Sequence, residues 1–166
     1  MKYFGLIVFS LISLSVQTPL DNVRAQFPNI TSLDEANKFI EKLKDDSSPE
    51  AKGYKAAMIL MKSRYIKGVF SKLKFFKKGK KILDKDINEN PELIEIRYIR
   101  FLMQKQIPNF LGYNKNIEED FNVISNKLLE SNLNKNLKIK MLDTMLLVDD
   151  LSEIKKNKIH QILDKL

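Results

Sequence analysis

Residues 48–86 read SPEAKGYKAAMILMKSRYIKGVFSKLKFFKKGKKILDKD, and this stretch decides the fold class. Ser48 followed by Pro49 is an N-cap and first-turn pair: the hydroxyl accepts an orphan N–H of the first turn, and proline has no N–H to leave unsatisfied there. Beyond it Ala51, Tyr54, Ala57, Met58, Met61, Tyr65 and Ile66 recur at helical spacing. Gly68 is the only breaker before Val69, Leu73, Phe76, Ile82 and Leu83 carry the pattern on to Asp86. Two amphipathic helices meeting at one glycine predict a hairpin or a kinked pair.

The same grammar extends in both directions. Upstream, Ser32 and Glu35 form a capping box, after which Leu33, Ala36, Phe39, Ile40 and Leu43 share one face of a helix over 33–44. Downstream, Asn90 and Pro91 repeat the cap and first turn 42 residues after Ser48 and Pro49. They precede a run dense in apolar residues (Leu93, Ile94, Ile96, Tyr98, Ile99, Phe101, Leu102, Met103) that predicts a central helix. Pro108 and Gly112 interrupt it. Asn116 with Glu119 opens a further helix through Ile117, Phe121, Ile124, Leu128 and Leu129, and two shorter helices follow, centred on Met141 and Ile159. With 166 residues, 43% hydrophobic content and only five glycines and five prolines, the chain suits one helical domain. The expected fold is all-α: six or seven helices over 26–166, arranged as stacked antiparallel hairpins.

The N-terminus reads as an export signal. Lys2 precedes an uncharged, mostly apolar run over 3–16, about 14 residues, short of the roughly 20 that cross a bilayer as a helix. Val23 and Ala25 supply the small residues of a cleavage site, making 1–25 the signal peptide; Ser13 and Ser15 offer an earlier cut, and an uncleaved anchor is the alternative. No cysteine follows the run, which excludes bacterial lipidation and leaves an exported protein of the periplasm or cell envelope. An exported chain without cysteine has no disulfides to compensate a small core and must rely on packing.

Two resemblances accompany this reading. Phe75, Lys77, Lys78, Gly79, Ile82, Leu83, Asn88, Asn90, Pro91 and Glu92 resemble the second helix of a tetratricopeptide repeat running into the next repeat, with a helix one turn longer and no closing proline. Over 53–120, the segments KGKKIL (78–83), IRYIRFLMQ (96–104), PNFLGY (108–113) and NIEED (116–120) resemble small exported, repeat-like helical proteins of flavobacterial type. That resemblance implies export and a helical fold, and no activity.

The chemistry the residues allow is narrow. His160 is the sole histidine and cysteine is absent, so neither a zinc site of ordinary composition nor a Cys–His pair can be assembled, and no cofactor or metal is expected. A Ser–His–Asp triad would have to recruit His160, which reads instead as a solvent-edge residue of the last helix. Glu118, Glu119 and Asp120, like Asp149 and Asp150, fall where helix starts favour negative charge. No phosphate loop or dinucleotide fingerprint occurs.

Three features are candidates for binding. The formal net charge is +8, concentrated between Lys62 and Lys85, where Lys72, Lys74, Lys77, Lys78, Lys80 and Lys81 lie among Phe70, Phe75 and Phe76. Such a segment can hold an anionic polymer or membrane surface, or it is a hairpin with aromatics inside and lysines in water. Only Arg24, Arg64, Arg97 and Arg100 of the 29 basic residues are arginine, which argues against nucleic acid. The connection over 106–116 carries Pro108, Phe110, Leu111 and Tyr113, and folds back as a plug or presents a recognition surface. Finally, Arg97, Arg100 and Gln104 form one polar row on the central helix. A guanidinium in apolar company must be paired. Its partner is an internal acid (Glu118, Glu119 or Asp120) or the carboxylate or phosphate of a bound ligand, with Tyr113 as a further donor. The expected function is a non-enzymatic protein-binding or scaffolding module of the bacterial envelope; the alternative is a binder of anionic surfaces through residues 62–85.

Overall fold

A computed structural model describes residues 17–166 and consists, over those residues, of helices and their connections. The apolar run over 3–16 and the Ser13–Ser15 cut lie outside the described residues. Eight α-helices follow one another: α1 (Pro19–Gln26), α2 (Leu33–Lys42), α3 (Pro49–Tyr65), α4 (Val69–Glu89), α5 (Ile94–Gln106), α6 (Ile117–Lys127), α7 (Lys135–Leu146) and α8 (Glu153–Leu163). Seven of them lie within 26–166, as the periodicity predicts.

Of the start signals read from sequence, the Ser32 hydroxyl accepts from the Glu35 N–H and the Ser48 hydroxyl from the Ala51 N–H. The Glu35 carboxylate turns to the N–H and hydroxyl of Thr31 instead of closing a box on Ser32, and Asn116 precedes α6 without a side-chain cap bond. Asn134, not among those signals, accepts from the Leu137 N–H. Gly68, at φ +86, turns the chain between α3 and α4, a conformation that side chains with a Cβ rarely adopt. One start is displaced. Asn90 does not open α5; its N–H and side-chain amide both turn back to the Asp86 carbonyl and close α4. Pro91 and Glu92 then form a turn, and α5 begins at Ile94.

Helices α3 and α4 are an antiparallel pair: Lys62 stacks over Phe75 near the turn, while Gly79 faces Leu60 and Ala56 farther along. A Cβ on Gly79 would come within 2.8 Å of the Ala56 carbonyl oxygen, so the two backbones pack where only glycine fits. Helix α5 lies beside α3, Tyr54 meeting Glu95 and Gly53 meeting Ile96 and Ile99. It also pairs with α6, Arg97 reaching Asp120 and Gln104 reaching Asn116, again antiparallel. The hairpins therefore stack, and the offset between contacting residues of α3 and α5 matches the spacing of the two Pro-containing starts. Every residue from Ile94 to Gln104 is buried, as expected of a central helix.

Helix α1 joins this core. Val23 is fully buried, and Phe27 just beyond the helix packs edge-on against Tyr54 and Tyr98. The connection over 106–116 divides: Tyr113 is buried and Leu111 packs against the core, whereas Phe110 stands 85% exposed.

Candidate functional site

The Arg97 and Arg100 row is buried, at 7% and 4% exposure, and its partner is internal. Asp120, in the first turn of α6 and fully buried, accepts from Arg100 Nε at 2.7 Å, from Arg100 Nη2 at 2.7 Å and from Arg97 Nη1 at 2.9 Å. Arg97 also donates to Glu119 at 2.8 Å and, through Nε, to the Pro91 carbonyl at 2.6 Å. Tyr113 donates to Asp84 at 2.9 Å rather than to a ligand, and its ring packs against Phe76 beneath the Lys80 ammonium. Gln104 donates to Asn116 at 3.4 Å, and its Oε1 has no partner among the described residues.

The electrostatics follow from this geometry. Burial pushes the Asp120 carboxyl up while the two guanidinium groups pull it down. With three N–H donors occupying its two oxygens, we place it ionised. The hydrogen bond from Arg97 lowers Glu119, and burial together with Asp84 raises the Tyr113 phenol. The clefts beside Lys140, along Lys77 to Lys85, beside Met103 and beside Lys38 are lined by other side chains. Thus the internal-partner reading of the row accounts for the geometry: Arg97, Arg100, Gln104 and Tyr113 direct to Asp120, Glu119, Asn116 and Asp84 the donors that a ligand clamp would need.

A second ion pair joins a half-buried arginine to a buried carboxylate. Arg24 of α1 grips Glu95 of α5 with two parallel hydrogen bonds of 2.7 Å, and Tyr54 donates to the same carboxylate at 2.9 Å. Glu95 is 2% exposed. The hydrogen bond to Glu95 raises the Arg24 guanidinium, locking in its charge.

The basic segment is organised by α4. At 100° per residue, Phe70, Lys74, Lys77, Lys78, Lys81 and Lys85 fall within about a third of the helical wheel. All six are exposed, while Phe76, Gly79, Leu83, Asp86 and Ile87 form the opposite, buried face. Of the lysines singled out from sequence, Lys74, Lys77, Lys78 and Lys81 share the stripe. Lys80 sits at its edge, 2.6 Å from Asp84, and Lys72 falls on the other side of the wheel. Lys85 joins the stripe, held loosely by Glu89 at 3.5 Å. The stripe ends at two residues whose exposure is anomalous for their type: Phe70 at 91% and its neighbour Val69 at 78%.

Other candidates separate. His160 is exposed on α8, and Asp149 and Asp150 lie in the turn after α7, Asp150 with φ 58. Among the described residues no cluster of His, Cys, Asp and Glu is arranged to hold a metal, and no helix is long and apolar enough to cross a membrane. No protein-family model matches the chain, and comparisons with curated proteins and with solved structures return no match.

Proposed function

We propose that this protein is a non-enzymatic module of the bacterial envelope that docks on an anionic lipid surface through the exposed face of α4. The observation carrying the proposal is the lysine stripe ending in Phe70, which is 91% exposed. Lysines alone suit any polyanion. An exposed phenylalanine in line with them favours a bilayer, because the ring gains free energy by entering the acyl boundary while the ammonium groups stay among the headgroups. Each lysine near a strongly anionic surface contributes about 1 kcal/mol, so the stripe supplies roughly 4–5 kcal/mol before Phe70 adds its share. The chain's own acids leave most of this charge available, since Asp84 and Glu89 engage only Lys80 and Lys85.

Co-sedimentation with vesicles of phosphatidylglycerol and phosphatidylcholine tests the reading. Binding is expected at low salt, weakened at physiological salt, and absent on pure phosphatidylcholine. Lys74→Glu with Lys78→Glu and Lys81→Glu should abolish it, and Phe70→Ser should weaken it. Binding to heparin that ignores Phe70, without vesicle binding, would transfer the face to an anionic polymer. Salt-resistant capture of an envelope protein, with no affinity for either, would return the module to the broader expectation of a protein scaffold.

A further inference from the structure

We propose that export processing hydrolyses the Ser15–Val16 peptide bond, so that the mature protein keeps α1. The inference rests on reading the apolar run over 3–16 as an export signal, and its new content is where the signal ends. In the reaction a membrane-bound signal peptidase adds water across that amide, leaving a carboxylate on Ser15 and an ammonium on Val16. Ser13 and Ser15 provide the pair of small residues that such a cut requires.

The alternative cut after Ala25 would remove side chains that the domain is built around. Helix α1 begins as a complete unit: Thr18 accepts from the Asp21 N–H at 3.1 Å, and the Asp21 carboxylate accepts from the Thr18 N–H at 3.2 Å and from its hydroxyl at 2.8 Å. Such a reciprocal box marks a helix start belonging to the folded domain. Val23 is fully buried, so its loss would open a void beside α2. Most costly is Arg24. Without it the Glu95 carboxylate, 2% exposed, would keep only the neutral Tyr54 hydroxyl as its side-chain hydrogen-bond partner. A buried charge stripped of its counter-ion is among the most destabilising changes a core can undergo. The Lys140 ammonium, half-buried, donates to the carbonyls of Arg24 and Ala25 and would lose both.

The test uses the full chain with a C-terminal tag, produced in a Gram-negative host, recovered from the periplasm and weighed intact. The expected mass begins at Val16. Ser15→Leu should leave the full-length precursor, and Ala25→Leu, at an exposed position of α1, should be processed like the parent. A mature mass beginning at Gln26, or a block caused by Ala25→Leu, overturns the proposal. A parent chain that stays cytoplasmic and unprocessed refutes the export reading beneath it instead, and the two failures are distinguishable by fraction and by mass.

Discussion

Replacing Arg100 with methionine removes a guanidinium from the most buried polar cluster of the protein and leaves a side chain of similar reach to fill the space. Asp120 then loses two of the three N–H donors that hold it, at 2.7 Å each, and keeps Arg97 Nη1 at 2.9 Å. Because Asp120 is fully buried, water cannot replace the missing donors. Breaking such a pair from one side costs about 3–5 kcal/mol. For a domain of this size each kcal/mol lowers Tm by about 2–4 °C, so the variant should melt roughly 6–20 °C below the parent. Urea unfolding at pH 7, followed by helical circular dichroism, measures the loss directly. Adding Asp120→Leu should then restore part of the stability, since the double variant has no uncompensated carboxylate in the core. An Arg100→Met variant within 1 kcal/mol of the parent, or a second substitution that simply adds its own cost, would refute the assignment of this row as a structural ion pair.

Asp86 offers a pH test. It is 3% exposed, its Oδ2 has no partner among the described residues, and burial pushes its carboxyl up to about 6. A folded-state value above the unfolded one means that the native chain binds the proton more tightly, so this group's contribution to stability falls as pH rises from about 4 to 6. Asp86→Asn should therefore match the parent near pH 4 and exceed it at pH 7 by up to about 3 kcal/mol; an offset that does not change with pH would contradict this. Gly79→Ala should destabilise although alanine favours helix by about 1 kcal/mol, because the new Cβ meets the Leu60 backbone nitrogen at 2.8 Å and forces α3 and α4 apart. A rise in Tm would show that the hairpin yields. Gly68→Ala, at φ +86, should cost about 1 kcal/mol through backbone strain alone, and an unchanged urea midpoint would contradict the turn geometry.

The helices were legible where local chemistry acts alone. Ser32 and Ser48 each sit before an apolar period, and each caps the helix that period describes. Asn90 shows where local signals become ambiguous: the same amide can start one helix or finish another, and the Asp86 carbonyl was the nearer partner. Helix α1 falls within the span that Val23 and Ala25 mark as leader, and Thr18 with Asp21 spells the capping box that opens it, a local signal the sequence reading passes over. The Arg97 and Arg100 row was visible as a buried charge in need of an acid, and all three acids of the next helix start were named. Which of them would be fully buried depends on how α6 packs on α5. Glu95 and Arg24 are 71 residues apart, and no local pattern announces such a pair. Similarly, periodicity placed lysines on a helix but could not say that Phe70 would find no core to enter.

Since the chain contains no tryptophan, Phe70→Trp places a single fluorescent reporter at the end of the lysine stripe. Its emission spectrum should shift to the blue when vesicles containing phosphatidylglycerol are added, return when salt is raised, and stay unchanged with phosphatidylcholine alone. Emission that remains that of a water-exposed indole on the anionic vesicles at low salt would contradict the docking of α4 on a lipid surface.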